Sequence, residues 1–174
     1  MIQITPRRRK VGRLIGTAIG AFAITGGTLA VTAGSASAWS LPQACSGQPQ
    51  ANACLDGYTY DPYVQVHVGI DVWMSHQDAL AILAQPGNAF SAALYGDDGS
   101  AQFLVGLPLT WEAAGDANIS AEFDMLVPRS QLNEDPGGWP RPNRDEVFAR
   151  VSLYDARTGL TRTFETPRWY ITFG

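Results

Sequence analysis

Two imidazoles, two thiols and 16 carboxylates are the groups in this 174-residue chain with chemistry to offer. Nucleophilic catalysis needs a Ser or Cys with a base in hydrogen-bond reach and a third group to orient that base. The histidines are His67 and His76, and no G-x-S-x-G is present. His67 and Asp71 share a face of the stretch YVQVHVGIDVWMS (63–75). At a strand's rise they are roughly 13 Å apart, too far to pair directly. His67 therefore reads as a sheet residue that is exposed or satisfied by another partner, and His76 as a solvated residue at a helix start. Metal catalysis fares no better, because H-E-x-x-H and paired imidazoles at helical spacing are absent. Cys45 and Cys54 alone would make an incomplete zinc site. In an exported chain they are expected to form a disulfide, worth roughly 2–3 kcal/mol for so short a loop.

Calcium is the one cofactor to weigh, since it accepts loop carboxylates and carbonyls. Asp56 and Asp61 flank the first strand, and Asp97 and Asp98 sit in the turn Gly96–Ser100. Glu134, Asp135, Asp145 and Glu146 border a long loop. The loop signature D-x-[DN]-x-[DN]-G is missing, however, and Asp-Asp-Gly is ordinary turn chemistry. A carboxylate pair at a set separation would serve a glycosidase-like extracellular hydrolase, the alternative function. A surplus of carboxylates supplies many pairs, so their number argues nothing, and most read as solubilising.

Binding is better supported than catalysis. Tyr58, Tyr60, Tyr63 and Trp73 gather around the 63–75 stretch, with Tyr63 and Trp73 expected under a second sheet, the helix or the lead-in. Trp139 stands between Gly and Pro in RSQLNEDPGGWPRPNR (129–144), framed by Arg129, Arg141 and Arg144. Loops of this length inside a compact domain are usually functional or mobile. Aromatics bury much area at low entropic cost, and guanidinium groups recognise carboxylates. This loop is the candidate binding site for a protein or carbohydrate. Asn118-Ile119-Ser120 matches a glycosylation sequon and is read as incidental.

The elements that must hold these residues are strands. In 63–75, Val64, Val66, Val68, Ile70, Val72 and Met74 alternate with Tyr63, Gln65, His67, Gly69, Asp71 and Trp73. This is the pattern of a half-buried central strand. Ser75 with Asp78 caps a short helix that Pro86-Gly87 ends, with Leu80, Leu83 and Ala84 on its apolar face. Strands follow at 90–95, 103–107 (Phe103, Val105 and Leu107 on one face), 119–127, 146–155, 160–165 and 169–173, with a weaker candidate at 110–114. Ile119, Ala121, Phe123, Met125 and Val127 face away from Ser120, Glu122 and Asp124, and Val147, Ala149, Val151 and Leu153 face inward. Gly159 closes a hairpin turn, and Pro167 marks an edge or bend. Residues 39–60 show no periodicity and read as an irregular, disulfide-tied lead-in to a domain at 61–174. The fold class is mainly β, an antiparallel β-sandwich with one short helix. A partly closed barrel is the alternative. The architecture would be that of immunoglobulin-like or C2-like sandwiches on strand count alone. The Cys…Trp…Cys core of immunoglobulin domains is missing, and no stretch carries a family motif.

Residues 1–38 read as a cleaved signal peptide. Arg7, Arg8, Arg9, Lys10 and Arg13 precede an uncharged apolar run from Leu14 to Val31, and Ala36-Ser37-Ala38 is a cleavage signal. The Arg pairs leave Sec and Tat export open. The mature chain is expected to be secreted and extracellular, with no membrane span. It keeps seven arginines and no lysine against all 16 carboxylates, a formal charge of −9. Such a charge disfavours nucleic acid and anionic membrane as partners. The function these features favour is a non-enzymatic extracellular binding module. N-terminal sequencing of the exported protein is expected to begin at Trp39; a start before Ala36 would show the segment is retained.

Overall fold

The computed structural model describes residues 39–97, 99–133 and 144–172. The expected signal segment, Asp98, Glu134, Asp135, Trp139 and Arg141 lie outside them. The expected central strand is β3, Tyr63–Trp73. Val64, Val66, Val68, Ile70 and Val72 are all buried, and the residues between them are partly or fully exposed. Each such buried side chain contributes about 1.5–3 kcal/mol. β3 pairs along its length with β2 (Ala51–Tyr60) and with β7 (Asn118–Pro128). β1 (Trp39–Cys45) adds to β2 and β6 (Leu109–Ala114) to β7, giving the order β1-β2-β3-β7-β6.

The second sheet contains β4 (Phe90–Asp97), β5 (Ala101–Leu107), β8 (Arg144–Asp155), β9 (Leu160–Glu165) and β10 (Trp169–Thr172). Its order is β10-β8-β4-β5, and β9 also pairs with β8. Every pairing is antiparallel. The β3 valines, with Leu55, Ile119 and Phe123 of the first sheet, join Leu94, Val147, Val151, Leu153, Phe164 and Trp169 of the second in one core. Two sheets packed face to face make the expected β-sandwich, and no barrel closes.

Several expectations are corrected. The segment 39–60 is not an irregular lead-in but holds β1 and β2. Inward residues Ala51, Ala53, Leu55 and Gly57 are buried in alternation, and their small size hid the period from a hydrophobicity reading. Phe103 was expected to alternate inward with Val105 and Leu107. A register shift in the β4–β5 ladder pairs it instead with outward Tyr95, leaving it 59% exposed, since one extra residue reverses the facing of the strand beyond it. The helix α1 (His76–Leu83) is capped as expected, with Ser75 Oγ accepting from the Asp78 amide. Its buried face, however, is Ala79 and Ile82, while Leu80 points to solvent. The loop after β7 opens with one helical turn, α2 (Arg129–Leu132).

Other expectations hold. Cys45 and Cys54 form a disulfide between directly paired positions of β1 and β2. Gly159 has φ +70 in the β8–β9 turn. Pro167 interrupts the strand that borders β8, and the buried Thr166 spans the break through two hydrogen bonds with the Ala149 backbone (2.9 and 3.0 Å).

Gly57 is a packing requirement. A Cβ there would overlap the carbonyl oxygen of Gln65 and sit 2.9 Å from the Trp169 ring of the opposite sheet. Gly57→Ala is therefore expected to cost about 3 kcal/mol through overpacking, read as a lowered midpoint in chemical denaturation. An unchanged midpoint would refute this packing.

Candidate functional site

The same period that buries the valines lines up the outward residues of β3 with those of its neighbours. Asp56, His67 and Asp124 form one row across β2, β3 and β7. Cys54, Gly69 and Glu122 form the next, and Asn52, Asp71 and Ser120 the one after. Towards the other end stand Tyr58 with Gln65 and Leu126, then Tyr60 with Tyr63. β6 places Trp111 beside Glu122, and β1 places Cys45 beside Cys54.

Each polar row is wired across strands. His67 Nδ1 lies 2.8 Å from Asp124 Oδ1. Thr110 Oγ1 donates to Asp124 Oδ2 at 2.8 Å. Burial works against the charge on Asp124, but the hydrogen bonds from His67 and Thr110 outweigh it and hold the carboxyl below its usual range. With Asp124 ionised, Nδ1 carries the proton and Nε2 is left to face the neighbouring row. A Cβ built on Gly69 would lie 3.6 Å from that Nε2, an ordinary contact. Asp71 accepts from Asn118 Nδ2 (2.8 Å) and from Ser120 Oγ (2.5 Å). Both side chains of the sequon are thus committed to one carboxylate.

Between these rows the sheet surface is hollowed. A groove of about 310 Å³ has Gly69 in its floor and Trp111, Glu122, Asp71, Asn52, His67 and Cys54 around it. That volume lies at the lower end of small-ligand sites. Trp111 is 47% exposed. Tyr63 and Trp73 were expected to be covered. They are exposed, as are Tyr58 and Tyr60, because the second sheet packs on the opposite face of β3.

Of the residues singled out for calcium, the described Asp56, Asp61 and Asp97 stand apart, each with its own partner. Asp56 lies on this face and accepts from Gln43 at 3.4 Å. Asp61 takes Arg129 at 3.2 Å, and Asp97 takes Arg168 at 2.8 Å. No grouping of three or more His, Cys, Asp or Glu suited to a metal occurs among the described residues. Of the loop candidates, Arg129 is thus tied to Asp61, and Arg144 lies over the Tyr170 ring at 4.2 Å. Trp139 and Arg141 fall outside the described residues. His76 Nδ1 meets the Gly115 carbonyl at 2.8 Å.

Ser120 sits opposite Asp71, four residues along β3 from His67, roughly 13 Å by strand rise. Ser, His and Asp therefore form no relay. Burial raises the pKa of Glu112, partly offset by the Ala89 amide hydrogen bond. That carboxyl pairs in register with the buried Ala121 and does not line the groove.

The outer face of the second sheet looks similar in composition but is internally satisfied. Arg150 donates twice to Glu165 (3.1 and 2.7 Å) and lies over Tyr95 at 4.6 Å. Arg168 lies over Phe148 at 4.4 Å while pairing with Asp97.

Sequence reasoning missed Trp111, Glu122 and Asp124 as site residues, although it placed Glu122 and Asp124 on the outward side of their strand. What it lacked was the adjacency of β7 to β3. Because the folded-state pKa of Asp124 lies below the unfolded value of about 3.9, its contribution to stability is present above that pH. It is lost as pH falls through the folded-state value. His67→Leu is expected to raise the Asp124 carboxyl titration and shrink this acid-dependent loss, checked by carboxyl NMR and melts between about pH 2 and 6. An unmoved titration would show that the pair does not form. No protein-family model matches the chain, and neither a curated protein nor a solved structure is similar to it.

Proposed function

We propose that this chain is an exported, non-enzymatic binding module that engages its ligand on the outer face of the first sheet. The observation that carries this reading is the groove over Gly69. Glycine in a strand interior weakens the strand and often marks a close approach by a ligand or another backbone. At Gly57 the backbone and Trp169 account for the missing side chain; at Gly69 nothing in the fold does. The vacancy lies beside an exposed Trp and the wired His67–Asp124 pair. Exposed aromatics on an ordered sheet offer contact area at low entropic cost. The disulfide, and the absence among the described residues of a helix long and apolar enough to cross a membrane, are compatible with an extracellular setting.

Gly69→Val separates binding from folding. A β-branched residue suits a strand, and the space is open, so the melting temperature is expected to hold or rise by a degree or two. Any ligand drawn from arrays of oligosaccharides and peptides is expected to lose at least about tenfold in affinity. A ligand that binds wild type and Gly69→Val equally would overturn this site.

A further inference from the structure

We propose that the occupant of this groove is an extended segment of a partner protein carrying Arg or Lys at alternate positions. This rests on the binding reading above. The five strands of the first sheet contain no Lys or Arg. Their outer face nevertheless presents Asp56, Asp71, Glu122 and Asp124. Elsewhere five carboxylates are neutralised by arginine. Asp61, Asp78, Asp97, Asp155 and Glu165 each pair with an arginine. On this face the partners are Gln43, Asn118, Ser120, Thr110 and one imidazole. The amide and hydroxyl groups among them satisfy hydrogen bonds without cancelling charge, and the imidazole adds a positive charge only when protonated. The field over the groove therefore selects cations and repels anions.

The groove itself adds two independent features. Trp111 supplies an exposed ring in its wall, the best aromatic partner for a guanidinium or ammonium group. The floor at Gly69 lets a long side chain descend between the Asp56–His67–Asp124 row and the Asp71 row. With the Glu122 row at Gly69 counted between these two, the rows repeat every second residue of β3, roughly 6.6 Å. An extended peptide repeats its own side chains at the same interval, so alternate cations meet successive rows.

The test uses the exported protein and three probes: an acetylated, amidated peptide of four Arg-Gly repeats, its Gln-Gly counterpart, and neutral oligosaccharides of glucose and N-acetylglucosamine. Calorimetry is run at low salt and at about 0.3 M salt, where screening is strong. The Arg-Gly peptide is expected to bind, to weaken about tenfold or more at high salt, and to weaken about tenfold with Asp56→Asn/Glu122→Gln. It is expected to be lost with Gly69→Val. Neither charge-removing substitution touches the core, so thermal melts should match wild type. A neutral oligosaccharide that binds independently of salt and is lost in Gly69→Val would overturn the cationic ligand while keeping the groove. Arg-Gly binding indifferent to Gly69→Val would place the peptide elsewhere and overturn the inference. Failure of every probe to bind would overturn both.

Discussion

The structure depends on the two-residue period of β3. Each inward valine is buried between the sheets, and each one fixes the facing of the residue beside it. A slip by one residue would bring His67 and Asp71 into the core and expose five branched side chains. Burial of the valines therefore sets the geometry of the outer face as firmly as any contact made there. Full-length pairing with β2 and β7 does the rest, because it holds Asp56 and Asp124 at either side of His67.

Two glycines on adjacent strands show how differently the faces are used. Gly57 looks inward and is crossed by the Trp169 ring and the Gln65 carbonyl. Gly69 looks outward into open space beside the His67 imidazole. The first is demanded by close packing. The second costs strand stability without a packing return, and the proposed site rests on that position.

Charge is divided between the sheets in the same spirit. Of the six described arginines, five lie between Arg144 and Arg168, on or beside β8, β9 and β10. There Arg150, Arg157 and Arg168 pair with carboxylates, and Arg144, Arg150 and Arg168 cover aromatic rings. The five strands of the first sheet hold no arginine or lysine beside their carboxylates. α1 and the β8–β9 hairpin are joined where Arg157 bridges Asp78 and Asp155, with Gln85 also donating to Asp155. The Arg157 hydrogen bond foremost keeps the Asp155 carboxyl strongly acidic, which ties the end of the sandwich together above the acid range.

The class of fold, the facing of β3, β7 and β8, the disulfide pairing and the capped helix are legible along the chain. These rest on local periodicity and on short-range chemistry, which a linear reading can follow. It did not show β1, nor β2, whose inward Ala51, Ala53 and Gly57 are too small to give a strong apolar period. It turned Phe103 the wrong way, because a bulge changes register without a signature of its own. Only the tertiary structure decided that β7 lies beside β3. That adjacency gives His67 its Asp124, gives Asp71 its Asn118 and Ser120, and sets Trp111 at the rim of a hollow above Gly69. Cross-strand neighbours depend on which long-range pairing buries the most apolar surface, and no spacing along the chain records that choice.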